Sequence, residues 1–341
     1  MNVLVAMSGG VDSSVAAAML IEAGHDVTGV TLRLWGGETD SGCCSVADVE
    51  DARRVAAQLD IPHYVFNLSD EFEAEVVAPY VHSYASGSTP NPCVECNRSI
   101  KFGHLLARAD ALGFDALATG HHARVHREPA GVVRLRRGVD LDKDQSYVLY
   151  MLGQRELART MLPIGEITKA DVRARAAGLG LRTAGKPESM DVCFVPTRDR
   201  REFVDARTAP RPGPIVDRFG TRLARHDGVA GFTVGQRRGL GVAFGEPRYV
   251  IAVDASAATV TIGTRAELEC EELFVRDLCW SDGEPARDTL LAVQTRAHGS
   301  PGVGSLDGEV VRLRTPMTRV APGQVVVFYD GDTVVGGGIA A

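Results

Sequence analysis

No run of 18 apolar residues occurs in the 341-residue chain, which argues against a helical membrane span. No basic segment precedes the first apolar residues, Val3-Leu4-Val5. They read as a first strand and not a signal peptide, so the expected location is cytoplasmic. A basic excess is missing as well. The formal charge of −7 argues against a non-specific nucleic-acid coat, although a local basic face could still hold RNA. There are no internal repeats or low-complexity tracts, and no second C-x-x-C follows Cys93-Val94-Glu95-Cys96 to complete a four-ligand zinc site. What remains, with 45% hydrophobic and 24% charged residues, is an ordinary globular composition long enough for two or three domains. In the cytoplasm the seven cysteines are expected to be mostly reduced, as reactive or metal-bound groups more than structural disulfides.

The most informative stretch is Ala6-Met7-Ser8-Gly9-Gly10-Val11-Asp12-Ser13-Ser14. It joins the apolar run Val3–Val5 to a helical pattern carrying Val15, Ala16, Met19 and Leu20 on one face, with Gly24 as the stop. A strand, a glycine-rich turn and a helix start aim backbone N–H groups and a helix dipole at one spot, which suits a pyrophosphate. Gly9 and Gly10 permit close approach, the serines add hydroxyls, and Asp12 could hold Mg²⁺ or a ribose. Neither the Walker lysine nor G-x-G-x-x-G is present. The plain alternative is a βα turn made of small residues.

Strand and helix patterns alternate to about residue 122. Asp26 to Trp35 reads as strand, Ser45 with Asp48 as a capping box opens a helix, and Ile61 to Leu68 reads as strand. Glu71 to Tyr84 reads as a helix disturbed by Pro79, Ile100 to Leu112 as a helix, and Phe114 to Thr119 as strand. This predicts an α/β fold with a doubly wound, mostly parallel sheet. Ligands of such sheets bind at the carboxyl ends of the strands, which places Ser8–Ser13, Leu32 and Gly120-His121-His122 around one crevice. From Arg211 the strands become short. Gly213–Asp217, Gly231–Gln236 and Tyr249–Val253 suggest one small β domain; Leu290–Thr295, Glu309–Arg314, Gln324–Tyr329 and the Asp330-Gly331 turn suggest another. The expected division is 1–205, a catalytic domain with a helical extension; 206–270, a central β domain; and 271–341, a C-terminal β-barrel.

Cysteines mark two further stretches. In Thr89-Pro90-Asn91-Pro92-Cys93-Val94-Glu95-Cys96 the prolines stiffen a loop entering a helix. Cys96 is expected near that helix start, where the dipole, Arg98 and Lys101 favour a thiolate. A zinc half-site, a redox pair and coincidence all remain open for C-x-x-C alone. Cys193 stands about a hundred residues away, and a lone cysteine is usually a small core residue. Cys43-Cys44 reads as packing or loop structure, because adjacent cysteines make a strained disulfide. Cys270 and Cys279 read as space-filling. His121 and His122 could touch a ligand or serve as structural hydrogen-bonding groups. The basic residues of Arg124–Arg137, Arg198–Arg201 and Arg237-Arg238 are either a solvated surface or an RNA-facing one.

SGGVDSS, GCCS (42–45), TPNPC-x-x-CN (89–97), IKFG (100–103), ATGHHAR (118–124), DLDKDQSYVLY (140–150), DVCFVP (191–196) and GQRRGLG (235–241) follow one another in the order and spacing of the tRNA-specific 2-thiouridylases, within the PP-loop ATP pyrophosphatases. The chain resembles that family over essentially its whole length. The resemblance implies ATP contacts at Ala6, Met7, Ser8, Gly9, Gly10, Val11, Asp12, Ser13, Leu32 and Gly120. It implies catalysis by Cys96 and Cys193, with Cys193 carrying a persulfide received from a sulfur-relay protein or cysteine desulfurase. It also implies a target-base contact at Asn91, Pro92 and Cys93, and tRNA contacts at Lys143, Asp144 and Gln145. Many members carry Asp where this chain has Cys93, and commonly Gln where it has Met190. With Cys93, three thiols could instead ligate a [4Fe–4S] cluster.

The implied chemistry is ATP-dependent thiolation of C2 of the wobble uridine. Adenylating O2 turns a hopeless leaving group into AMP, after which sulfur attacks C2. The cofactors expected are ATP and Mg²⁺, with the cluster as an alternative sulfur carrier. Two other readings compete: a PP-loop ligase forming an amide or amidine on a small molecule, which needs no paired cysteines, and a non-catalytic RNA-binding or sulfur-carrier protein, which leaves SGGVDSS unexplained.

Overall fold

The computed structural model describes residues 1–34, 45–187, 192–195, 200–241 and 245–341. Cys43, Cys44, Met190 and Arg198 lie outside the described residues.

The N-terminal part begins β1 (Asn2–Ala6), α1 (Val11–Glu22), β2 (Asp26–Arg33), α2 (Val46–Gln58) and β3 (His63–Asn67). β4 (Ala116–Ala118) follows, then the hairpin β5 (Ala123–Arg127) and β6 (Val133–Arg137), and then β7 (Thr160–Met161). One parallel sheet has the order β3-β2-β1-β4-β7. Side chains alternate across a strand, so Leu4 enters one core with Leu32 and Leu117, while Val3 and Val5 enter another with Val15, Ala52 and Val172. The sheet is thus covered on both faces, as the alternating pattern predicts. α2 starts as expected: the Ser45 hydroxyl accepts the Asp48 N–H at 3.1 Å, and the Asp48 carboxylate accepts the Ser45 N–H at 3.3 Å.

Two helical stretches depart from expectation. The run Ser69–Ala85 is continuous, but Glu73–Val77 is wound with five-residue π-type bonds just before Pro79. Proline removes one backbone donor and crowds the carbonyl four residues back, and the wider turn relieves both. The helix expected to begin at Ile100 begins at Pro92, because the Asn91 side chain accepts the Cys93 and Val94 N–H groups at 3.1 and 3.4 Å. Cys93, not Cys96, therefore occupies the first turn; Cys96 opens the π-wound stretch Cys96–Leu105.

β8 (Gly213–Val216), β9 (Arg222–His226), β10 (Tyr249–Asp254) and β11 (Thr259–Gly263) form a second sheet in the order β10-β11-β8-β9. The expected strand Gly231–Gln236 is not a strand. Its Phe232 and Val234 are buried in this unit's core, while only the Gly235 N–H and the Gln236 carbonyl engage Val250. The third unit comprises β12 (Glu269–Trp280), β13 (Leu290–Gln294), β14 (Gly302–Asp307), β15 (Val310–Thr318), β16 (Val325–Asp330) and β17 (Thr333–Ala340). Antiparallel pairing runs β12-β15-β14-β13-β16-β17, and a β12–β17 ladder closes it into a barrel. The β5–β6 hairpin attaches to β17 through Arg136 and Thr333, so the first segment and the barrel share one sheet.

Arginines of the basic stretch tie this joint. Arg124 bonds Asp332 at 2.6 Å, Arg134 pairs with Asp282 at 2.8 Å, and the Arg137 guanidinium lies 3.6 Å from the Tyr329 ring centre. Part of Arg124–Arg137 thus engages protein, not an RNA-facing surface. No helix among the described residues is long and apolar enough to cross a membrane.

Candidate active site

The turn after β1 is held from within. Ser13 Oγ accepts the Ser8 N–H at 3.2 Å, and the Ser14 hydroxyl donates to the Gly10 carbonyl at 2.8 Å. Gly9 has φ +71°, and a Cβ there would stand 2.3 Å from the Asp48 carbonyl oxygen, so this position requires glycine. Gly10 caps α1 without any side-chain bond to the helix amides. The N-terminal donors of α1 are therefore left for an anion. Met7 and Val11 send their side chains into the core and can offer a ligand only backbone, whereas Ser8 is exposed. Gly120 follows β4, and a Cβ there would lie 2.6 Å from the Ser13 nitrogen. Leu32 stands past the end of the β1–β2 pairing, at the carboxyl edge of the sheet. The sequence-predicted nucleotide residues thus meet at one edge, and their tight backbone approaches are those of a cradle with no room for side chains.

Charged groups surround this turn, and the sequence reading assigned no role there to Lys169, Lys186 or Asp51. The Lys169 ammonium donates to both Asp12 carboxylate oxygens at 2.7 Å, and His122 Nε2 lies 3.3 Å from one of them. Burial alone would raise the Asp12 pKa; the hydrogen bonds from His122 and Lys169 and the Lys169 charge outweigh it and hold Asp12 below its ordinary value. On the other side the Lys186 ammonium donates to the Gly9 carbonyl at 2.9 Å and to Asp48 and Asp51 at 2.7 Å each. Burial opposes its charge, yet the two carboxylates raise its pKa overall. His121 is buried, with Nδ1 2.7 Å from the Thr119 hydroxyl; burial first, then the charges of Lys101 and His122, push its pKa well below 6.5.

Cys96 and Cys193 are both partly buried. They pack against the core that takes Ala6 and Leu32, on the face of the sheet opposite to the core entered by Met7 and Val11 of the turn. Cys93 is exposed and near Tyr80, whose hydroxyl pKa is raised by burial, by Tyr84 and, to a lesser degree, by Cys93. No group of three or more His, Cys, Asp or Glu side chains among the described residues is gathered as a metal would require. Cys270 and Cys279 lie on β12, where burial pushes both thiols above their ordinary pKa.

Lys143, Asp144 and Gln145 do not form one surface. Asp144 is buried and accepts from Arg137 (3.0 Å), the Gly138 N–H (3.0 Å) and the Ser146 hydroxyl (2.9 Å). Gln145 Oε1 accepts the His122 N–H at 2.9 Å, which ties this turn to the nucleotide edge. Lys143 is partly exposed.

A parallel sheet with an uncapped glycine turn at its carboxyl edge, followed by two β units, defines an α/β nucleotide-binding enzyme of the PP-loop class. Models described as tRNA methyl transferase HUP domain, tRNA methyl transferase PRC-barrel domain and aminomethyltransferase beta-barrel domain match residues 1–197, 201–264 and 270–340. The chain is 51% identical over 99% of its length, and 97% of the relative's, to tRNA-specific 2-thiouridylase MnmA of Chloroflexus aggregans. It is 52% identical to the relative of that name from Mycolicibacterium smegmatis, over 98% of each chain. A solved U34-tRNA thiolase from Methanococcus maripaludis, described with its [4Fe–4S] cluster, shares 20% identity over 60% of this chain and 64% of its own, with a TM-score of 0.38, too slight a likeness to bear on the chemistry here. The chain belongs to the tRNA-specific 2-thiouridylase family.

Proposed function

We infer that the protein uses ATP to replace O2 of a tRNA wobble uridine with sulfur. One observation carries this reading: an anion-accepting glycine turn stands at the carboxyl edge of the sheet, and the thiols of Cys96 and Cys193 pack against the core that takes Ala6 and Leu32 of that same edge. Methyl transfer fits the site less well, since it needs neither a triphosphate cradle nor paired thiols. An amide-forming ligase likewise leaves both thiols without a task.

ATP lies with its β- and γ-phosphates on the amides of the turn, and Asp12 is the residue that would hold Mg²⁺, whose charge would offset the pyrophosphate as it leaves. Uridine O2 attacks the α-phosphorus, the bond to the β-phosphate oxygen breaks, and pyrophosphate departs. Cys193 carries the sulfur as a persulfide, delivered by a relay protein or a cysteine desulfurase. Its terminal sulfur attacks C2 and AMP leaves. The Cys96 thiolate then attacks Cys193 Sγ, which frees the 2-thiouridine and leaves a Cys96–Cys193 disulfide for an external dithiol to reduce. Hydrosulfide released by Cys96 attacking the persulfide first would end in the same disulfide. Asn91, Pro92 and Cys93, at the start of the Cys96 helix, face the target base. A basic cleft of about 980 Å³, lined by Arg200, Arg237, Arg238, Arg296 and Arg319, suits the RNA backbone.

The test is anaerobic turnover of unmodified tRNA with ATP–Mg²⁺ and a persulfide donor, with nucleosides read by mass spectrometry. Thiouridine that requires ATP and vanishes in both Cys96→Ser and Cys193→Ser is the expected result. Pyrophosphate release without a thionucleoside from any sulfur source would overturn the reading.

A further inference from the structure

The turn lacks a lysine of its own, but the fold brings two to it from far along the chain. Lys169 is the first residue of the helix Lys169–Gly178, capped by Thr168, and its own N–H donates to Asp140 at 2.9 Å. Its side chain is 11% exposed and ends on Asp12, in the first turn of α1. Lys186 ends the short helical turn Arg182–Gly185 and reaches the Gly9 carbonyl, within the turn itself. The two ammoniums thus approach the cradle from opposite sides, each on a supported backbone.

Their placement is poor for stability alone. Cations near a helix N-terminus oppose the helix dipole, and Lys169 sits beside two such termini, its own and that of α1. Burying a lysine side chain also costs desolvation, which at Lys186 takes two carboxylates to offset. Asp12, Asp48 and Asp51 against Lys169 and Lys186 leave these five groups with one net negative charge, which repels a triphosphate while the pairs stay closed. Once a phosphate lies on the α1 amides, both lysines have a better partner: a more highly charged acceptor at a site where the dipole already favours an anion.

We propose that Lys169 and Lys186 are the phosphate-binding cations of this site. They exchange Asp12 and the Asp48/Asp51 pair for β- and γ-phosphoryl oxygens when ATP binds, and hold those charges as pyrophosphate leaves. The assignment rests on the reading that this turn binds ATP.

Calorimetric titration with ATP–Mg²⁺, and thermal stabilisation by inorganic pyrophosphate, test it on the full chain. Lys169→Met and Lys186→Met should each weaken ATP binding by about tenfold or more and remove most of the stabilisation by pyrophosphate, with Lys→Arg variants recovering part of both. Asp51→Asn separates phosphate binding from a structural tie. It frees Lys186 from one carboxylate, so ATP should bind at least as tightly as to wild type, whereas a structural tie requires Asp51→Asn to weaken binding as Lys186→Met does. Asp51→Asn also serves should Lys186→Met fail to fold. Wild-type affinity in either methionine variant overturns the assignment of that lysine, and weakened binding in Asp51→Asn overturns that of Lys186. Wild type that binds no ATP and yields no pyrophosphate with tRNA overturns instead the functional reading beneath it.

Discussion

The Tyr80 ring meets the Phe194 ring edge-on, with centroids 5.1 Å apart and planes at 87°. Phe194 directly follows Cys193, and Tyr80 belongs to the helical run that passes near Cys93. Phe72 and Phe203 close on Phe194 from other sides, each with its centroid 5.6 Å away. Four aromatic rings therefore anchor the peptide next to Cys193 in the core against which Cys96 packs. Two cysteines separated by nearly a hundred residues are held to one body by packing, with no covalent link between them.

Phe194→Ala should accordingly lose ~3–5 kcal/mol of stability, the usual range for emptying a buried phenylalanine site. It should also slow formation of a Cys96–Cys193 disulfide under a mild thiol oxidant, followed by mass spectrometry of the peptide pair, while Phe194→Leu should show less of both effects. An alanine variant that unfolds at the wild-type denaturant midpoint would contradict the anchoring role.

Asp144 offers a sharper contrast with its neighbour. Its carboxylate is 3% exposed and faces Arg137, whose guanidinium also bonds Gln294 at 2.6 Å and lies on Tyr329 of the barrel. Asp144→Asn leaves that cation without its charge partner and should cost on the order of 3–5 kcal/mol, loosening the joint between the first segment and the barrel. Lys143→Ala should lower tRNA affinity and cost much less stability than Asp144→Asn. Denaturation beside RNA-binding titrations of the two variants distinguishes these roles; equal stability would refute the structural assignment of Asp144.

Local chemistry accounts for what the sequence disclosed. The turn after β1, the Ser45–Asp48 capping box and the two-faced sheet each depend on residues close together in the chain, so pattern and propensity suffice. The roles of Lys169 and Lys186 went unassigned, and Asp144 was expected to contact tRNA and not the protein interior, for a common reason. A polar run such as Lys143-Asp144-Gln145 reads as surface, and no local signal tells where a long side chain ends once distant elements have packed. The pairing of β6 with β17 spans about two hundred residues and is likewise invisible to periodicity. At Asn91 the signal was present, since an Asn-Pro pair is a helix start, and it places Cys93 in the first turn.

Gly120 gives a test of how closely the cradle is built. An alanine methyl would stand 2.6 Å from the Ser13 nitrogen and 2.8 Å from the Asp12 carbonyl carbon, both backbone atoms that cannot rotate away. Gly120→Ala should push the start of α1 off its position and weaken ATP binding by about tenfold or more, at ~1–3 kcal/mol in stability. Gly178→Ala is the internal control. A Cβ there meets nothing within 4 Å at the end of a helix, so the change should be neutral or stabilising by up to ~1 kcal/mol.

The buried His121 makes stability depend on pH with a definite sign. In the folded protein burial, Lys101 and His122 keep its pKa well below 6.5, so the ring stays neutral; in the unfolded chain it takes up a proton below about that pH. The unfolded state therefore binds more protons, and stability falls as pH falls through 6.5 toward the depressed folded value. One such proton is worth up to ~1.4 kcal/mol per pH unit. His63 and His226 have lowered pKa values as well, burial being the main cause in each, so wild type alone cannot isolate the effect. The difference between wild type and His121→Gln can. Denaturant midpoints measured at several pH values from about 7.5 down to about 5.5 should show the variant losing less stability on acidification, so that its deficit relative to wild type narrows at low pH. Parallel curves would mean that His121 is protonated in the folded state as readily as in the unfolded one, and the buried, Thr119-bonded ring described here would not be its state in solution.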